Sequence, residues 1–131
     1  MIVDLSALMA IVLDEQRAAA CLRALLESQA NRMSAATFLE AAIVADRLPD
    51  PNDRARFERL FDRLDIIIEP LTARQATIAR QAYSRFGKGI GHRARLNFGD
   101  CFAYALAIDF DEPLLFVGQD FVHTDGRRAL S

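Results

Sequence analysis

Met1-Ile2-Val3-Asp4-Leu5-Ser6-Ala7-Leu8 opens the chain with a short apolar run, an acid, and then small and apolar residues at helical spacing. Ile2-Val3 reads as a buried strand, Asp4 stands just past its carboxyl end, and Ser6 is the expected N-cap of a helix over Ala7 to Leu13. A strand feeding directly into a helix is the unit from which parallel sheets covered by helices are built. A carboxylate at the tip of such a strand is costly unless something positive meets it.

The same alternation continues outward from this segment. Asp14 is expected to cap a second helix, in which Ala18, Cys21, Leu22, Leu25 and Leu26 form an apolar stripe and Arg17, Arg23 and Glu27 lie off it. Asn31-Arg32-Met33 reads as a second strand ending at Ser34, with Ser34 or Thr37 capping a helix that carries Phe38, Leu39, Ala42, Ile43 and Ala45. Leu48-Pro49-Asp50-Pro51-Asn52 interrupts the pattern, because proline and the residue before it resist helix; a helix is expected from about Asp53 to Leu64. Ile66-Ile67-Ile68, bounded by Asp65 and Pro70, fits a buried strand. Thr72 opens a helix through Ile78, Ala79 and Ala82 towards Phe86. Gly87 to Arg95 has glycines and basic residues without periodicity and reads as a mobile basic loop. From Asp100 the helical pattern returns with Phe102, Ala103, Leu106, Ala107 and Phe110, and Pro113 to Val117 reads as a final core strand. The expectation is one α/β domain over residues 1–131, a parallel sheet with helices on both faces. In such sheets functional groups collect at the carboxyl ends of the strands.

Composition narrows the function classes. A chain of 131 residues with 52% hydrophobic content can bury a core without disulfides, and Cys21 and Cys101, inside helical patterns and without C-x-x-C spacing, read as small core residues in a reducing compartment. A formal charge of −2, from 16 basic and 18 acidic residues, excludes a globally basic nucleic-acid binder, so any such affinity must be local. No stretch approaches the roughly 18 uninterrupted apolar residues that would span a bilayer, and no secretory leader pattern opens the chain. The expected location is the cytoplasm.

Glu40, Asp100 and Asp120 stand, like Asp4, beside apolar segments at wide intervals. Converging carboxylates suit a hard divalent cation such as magnesium, which takes oxygen ligands and keeps several waters. Each acid also has an ordinary structural explanation. Asp4 suits a helix N-cap, Glu40 a solvated helix face, Asp100 the first turn of a helix, and Asp120 and Asp125 turns. The aromatic spacing of Phe98, Phe102 and Phe110 favours core packing over stacking on bases.

Four blocks carry a family resemblance. They are the opening Met-Ile-Val-Asp-x-Ser-Ala-Leu; Met33-Ser34-Ala35-Ala36-Thr37-Phe38-Leu39-Glu40; Leu96-Asn97-Phe98-Gly99-Asp100-Cys101-Phe102-Ala103; and Leu114 to Phe121 with His123-Thr124-Asp125. In this order and spacing, over essentially the whole chain, they resemble the PIN-domain ribonucleases, and more specifically the VapC toxins of bacterial type II toxin–antitoxin systems. The resemblance implies an endoribonuclease using Mg²⁺ or Mn²⁺. Position by position it implies that Asp4, Glu40 and Asp100 are its acids, with Asp120 as the first choice for a fourth and Asp125 as the second. Ser6 matches the small polar residue that supports the site, Leu5 departs from the usual Thr or Ala, and Gln119 stands where relatives often carry a further Asp. A VapB-type antitoxin lying across the active-site groove, a homodimer, and a hetero-oligomer with the antitoxin are implied as well. Leu60, Phe61 and Leu64, or Leu22 and Leu25, are candidate dimer contacts.

The acids repel phosphate, so the RNA substrate must be met by other residues. Arg85, Lys88, His92, Arg93 and Arg95 cluster just before Asp100 and are the candidates for contacting the RNA backbone, the alternative being a solvated surface loop. His123 is expected to organise its turn. A catalytically inactive PIN-like module that binds antitoxin is the main competing reading. Haloacid dehalogenase-type phosphatase chemistry would need an acid where Ser6 stands, and dinucleotide binding would need a glycine-rich turn after the first strand.

Overall fold

The structure, a computed structural model, describes residues 1–130; Ser131, within the expected domain, lies outside the described residues. Strand β1 (Ile2–Val3) leads into helix α1 (Leu5–Val12), followed by α2 (Ala18–Glu27), β2 (Arg32–Ser34), α3 (Ala35–Asp46) and α4 (Pro51–Leu64). The chain continues as β3 (Ile67–Glu69), α5 (Ala73–Phe86), α6 (Asp100–Phe110) and β4 (Leu114–Leu115). The strands form one parallel sheet in the order β3-β2-β1-β4, with Ile2 opposite Arg32 and Leu114, and Val3 opposite Leu115.

Because successive strand residues point to opposite faces, two adjacent residues serve two cores. Ile2 and Leu114 belong to the core made with α5 and α6, which includes Ala82, Phe86, Tyr104 and Leu106. Val3 and Leu115 belong to the core made with α1 to α4, which includes Leu8, Cys21, Met33, Ala41 and Phe57. The expected α/β architecture with helices on both faces is therefore the observed one. Cys21 and Cys101 are free and buried, as small core residues should be.

Several local expectations are corrected. The N-cap of α1 is Asp4, whose carboxylate accepts the Ser6 N–H; Ser6 lies inside the helix. Asp14 caps nothing: it sits at φ 52°, and α2 starts from Arg17. Asp50 caps α4 ahead of Pro51, where proline's missing N–H costs nothing, so that helix starts earlier than Asp53. Of the two proposed caps for α3, Ser34 does the work; Thr37 is buried inside the helix. Thr72 caps α5 as expected, accepting from the Gln75 N–H.

The isoleucine run differs more. β3 begins at Ile67, not Ile66, and is an edge strand: Ile67 and Ile68 are 43% and 39% exposed, while Ile66 is buried. The aromatic stripe is not a core stripe either. Phe102 and Phe110 are half-buried, but Phe98 is 76% exposed, because it precedes α6 and so falls outside the helical register that spacing assumed. Of the candidate dimer contacts, Leu25 and Leu64 are buried in the α1–α4 core, and Leu22, Leu60 and Phe61 are half-buried against it. Among the described residues no helix is long and apolar enough to cross a membrane.

Candidate active site

Parallel pairing puts the carboxyl ends of β1 and its neighbours on one side, and Asp4 emerges there, 4% exposed. One oxygen of its carboxylate, Oδ2, accepts both the Ser6 N–H (3.1 Å) and the Ser6 hydroxyl (2.6 Å). Ser6 Oγ in turn accepts the Val117 N–H at 3.0 Å, which ties the segment after β4 to the start of α1. Ser6 thus fixes Asp4 and the approach to Asp120 together. Burial pushes the Asp4 carboxyl above its usual range, the Ser6 bonds pull it back, and the charge of Asp120 pushes it up further.

Asp100 opens α6 and is 7% exposed. Its carboxylate accepts the Asn97 N–H (3.0 Å), while the Asn97 side-chain oxygen accepts the Asp100 N–H (2.8 Å). This reciprocal pair closes the turn that leads into α6 and holds Asp100 at the helix start. Burial, only partly offset by the Asn97 bond, raises its pKa to about 7, helped by the charges of Asp120, Asp4 and Glu40. Glu40 reaches the same place from α3. Its carboxyl is raised first by burial and then by Asp4, and it rests against Gly99, where any Cβ would land on its carboxylate oxygens. Asn97 and Gly99 were missed as site residues. The Asn-x-x-Asp spacing before an apolar run was the available signal for the first, whereas nothing local marks the second.

The structure thus brings Asp4, Glu40, Asp100 and the exposed Asp120 within range of one another's charge, with Asp100 sensing all three others. Asp125 is turned elsewhere. It pairs with Arg85 at 3.2 Å and accepts a hydrogen bond from the buried Tyr104 hydroxyl. Burial pushes its carboxyl up, but the Tyr104 and Arg85 bonds outweigh this and hold it below the usual range. Arg85, expected as an RNA contact, is engaged in that pair and lies over the Phe86 ring. Its guanidinium is half-exposed.

The two ends of the basic segment are hydrogen-bonded to each other. Lys88 N–H donates to Leu96 O and Leu96 N–H to Phe86 O, both at 2.7 Å, and buried Ala94 pegs the segment to the core. His92 Nδ1 accepts the Ala94 N–H at 3.0 Å, and its ring meets Phe86 edge-on. Lys88, His92, Arg93 and Arg95, with Gly89 and Gly91, line a shallow open pocket. The turn after Asp120 is organised by Thr124, whose hydroxyl donates to Phe121 O at 2.8 Å.

The donor set fits a hard divalent cation: carboxylate oxygens, held by neutral donors from Ser6 and Asn97 and destabilised by one another. Among the described residues no three His, Cys, Asp or Glu side chains are drawn tightly enough to form a finished metal cage. Magnesium keeps several of its waters, so these carboxylates would hold it partly through them.

Residues 1–127 match the PIN domain. The chain is also 52% identical to Ribonuclease VapC28 of Mycobacterium tuberculosis over 130 residues, covering 99% of this chain and 98% of that protein. The chain belongs to the PIN-domain VapC ribonuclease family. Solved structures agree on the fold of this PIN domain. M. tuberculosis VapC20, described as a sarcin-ricin loop cleaving toxin, superposes with a TM-score of 0.70 over 95% of each chain at 16% identity. VapBC2 from Rickettsia felis, bound to a DNA fragment from the promoter, gives 0.70 over 97% of this chain and 94% of that one at 12% identity.

Proposed function

We propose that this VapC-family protein is a Mg²⁺- or Mn²⁺-dependent endoribonuclease toxin that cuts structured RNA, transfer or ribosomal, and so arrests translation. The observation that carries the reading is Asp100: a buried carboxylate pushed up to about 7, facing Asp4, Glu40 and Asp120. Such crowding is unfavourable in a purely structural role and is relieved by a divalent cation. Membership of a family whose relatives are named ribonucleases supports the same chemistry.

Asp4, Glu40, Asp100 and Asp120 would hold the ion. When bound, a divalent cation supplies a water of lowered pKa and offsets charge on the phosphate. The remaining roles belong to the chain. Ser6 holds Asp4 through one carboxylate oxygen, Asn97 holds Asp100 likewise, and Gly99 makes room for Glu40. Lys88, Arg93 and Arg95 offer positive charge to the RNA backbone, which makes binding salt-dependent, and His92 lies among them. A VapB-type antitoxin would silence the site, a basic residue pairing with the acids, within a hetero-oligomer of homodimeric toxin.

The experiment is cleavage of total cellular RNA by purified protein with millimolar Mg²⁺ or Mn²⁺ and with EDTA, beside Asp4→Asn and Asp100→Asn. Discrete metal-dependent products that vanish in both variants support the function. Products unchanged in the variants would reject the site, and no products from antitoxin-free, metal-binding protein would favour the inactive module.

A further inference from the structure

Phe98 is a large apolar side chain left 76% exposed between two groups of functional residues. On one side the basic segment ends at Arg93 and Arg95; on the other are Gly99, pressed against Glu40, and Asp100. Its backbone is not free to fold the ring away. Phe98 lies inside the turn closed by the reciprocal Asn97–Asp100 hydrogen bonds, with the Cys101 N–H donating to its carbonyl at 3.3 Å. Its ring meets Phe102 edge-on, centroids 4.9 Å apart and planes at 85°, a contact that fixes the ring's orientation and leaves most of it open.

A single exposed apolar side chain is ordinary on a protein surface, but this ring sits next to Gly99, which rests against Glu40, and two residues before Asp100. From these features, and resting on the ribonuclease reading above, we propose that Phe98 is the stacking platform for an unpaired RNA base next to the phosphate that is cut. Along the chain the basic residues come first, the ring next and Asp100 two residues after it, so backbone, base and cleaved phosphate would be met by neighbouring positions. Aromatic stacking tolerates any base, so Phe98 would secure single-stranded or loop RNA rather than read its sequence. The basic run just before Phe98 and the acid just after it favour a nucleotide over an apolar peptide as the occupant.

The test uses the full chain without added metal and fluorescein-labelled single-stranded RNA. It is compared with inorganic polyphosphate, which carries charge but no bases, and paired with wild-type cleavage in Mg²⁺. Phe98→Ala is expected to weaken RNA binding about 5- to 150-fold, the range of one lost base–aromatic stack, with an unchanged salt slope. Polyphosphate binding stays the same, Phe98→Trp retains RNA binding, and Phe98→Leu does not. In cleavage, Phe98→Ala raises KM more than it lowers kcat. Melting temperatures equal to wild type show that the exposed substitution leaves the fold intact. If the wild type cuts RNA and Phe98→Ala binds it as tightly, the stacking role is wrong while the ribonuclease reading stands. Equal losses on RNA and polyphosphate, or a loss confined to binding a protein partner, would also overturn it. Wild-type protein that cuts no RNA overturns both readings.

Discussion

Asp100→Asn gives the sharpest test of the acidic cluster because its effect on stability has a sign opposite to that of most core substitutions. In metal-free protein the Asp100 pKa stands at about 7, against an ordinary value of about 4. A carboxyl whose folded pKa is raised contributes stability that is fully present below the unfolded value and lost as pH rises through the folded one. Each pKa unit corresponds to about 1.4 kcal/mol, so ionising Asp100 in the fold costs about 3 kcal/mol between pH 5 and pH 8. Asparagine removes that cost, keeps an oxygen for the Asn97 N–H, and turns an amide donor towards Asp4 and Glu40. Thermal melts in EDTA should show a small advantage for the variant at pH 5, which already lies above the unfolded value. By pH 8 the gap should have widened by about 10 °C, at roughly 4 °C per kcal/mol for a chain of this size. Asp4 and Glu40 titrate upward as well, so the difference between the two proteins reports Asp100 together with its coupling to those acids. In Mg²⁺ the order should reverse, since ligand binding stabilises only the protein that retains the site. A variant that melts below wild type at pH 8 in EDTA, or with the same pH dependence, would refute a crowded, uncompensated carboxylate.

Other substitutions separate positioning from folding. Asp4→Asn should abolish cleavage without loss of stability, because Asn caps a helix as well as Asp does, whereas Asp4→Ala should also lose about 1 kcal/mol in chemical denaturation. Gly99→Ala fits its backbone but displaces the Glu40 carboxylate; melting should stay near wild type while kcat falls at least about 10-fold, each 10-fold being about 1.4 kcal/mol of barrier. Asp120→Asn should eliminate Mg²⁺-induced stabilisation in melting scans. Asp125→Asn should keep it and instead lower the melting point by a few degrees, because the buried Tyr104 hydroxyl and Arg85 lose their charged partner. Ser6→Ala should cost about 1–2 kcal/mol in urea titration and reduce cleavage, since one hydroxyl serves both Asp4 and the Val117 N–H.

The sequence by itself determined what depends on local pattern. Ile2-Val3 followed by Asp4, the break at Pro49 and Pro51, Thr72 before a helical stripe, and the apolar helix after Asp100 all show their element types. Periodicity and capping are properties of a few consecutive residues. Only the tertiary structure decided which faces are covered. Ile67 and Ile68 look like core residues until β3 proves to be the sheet edge, and Phe98 looks like part of a helical stripe until the helix starts after it. Asp120 and Asp125, equally turn-like in sequence, part company because Tyr104 and Arg85, distant in the chain, claim Asp125. The raised pKa of Asp100 belongs to the same class of fact. It arises from burial and from carboxylates carried by other elements, and the strength of both depends on distances that only the folded chain sets.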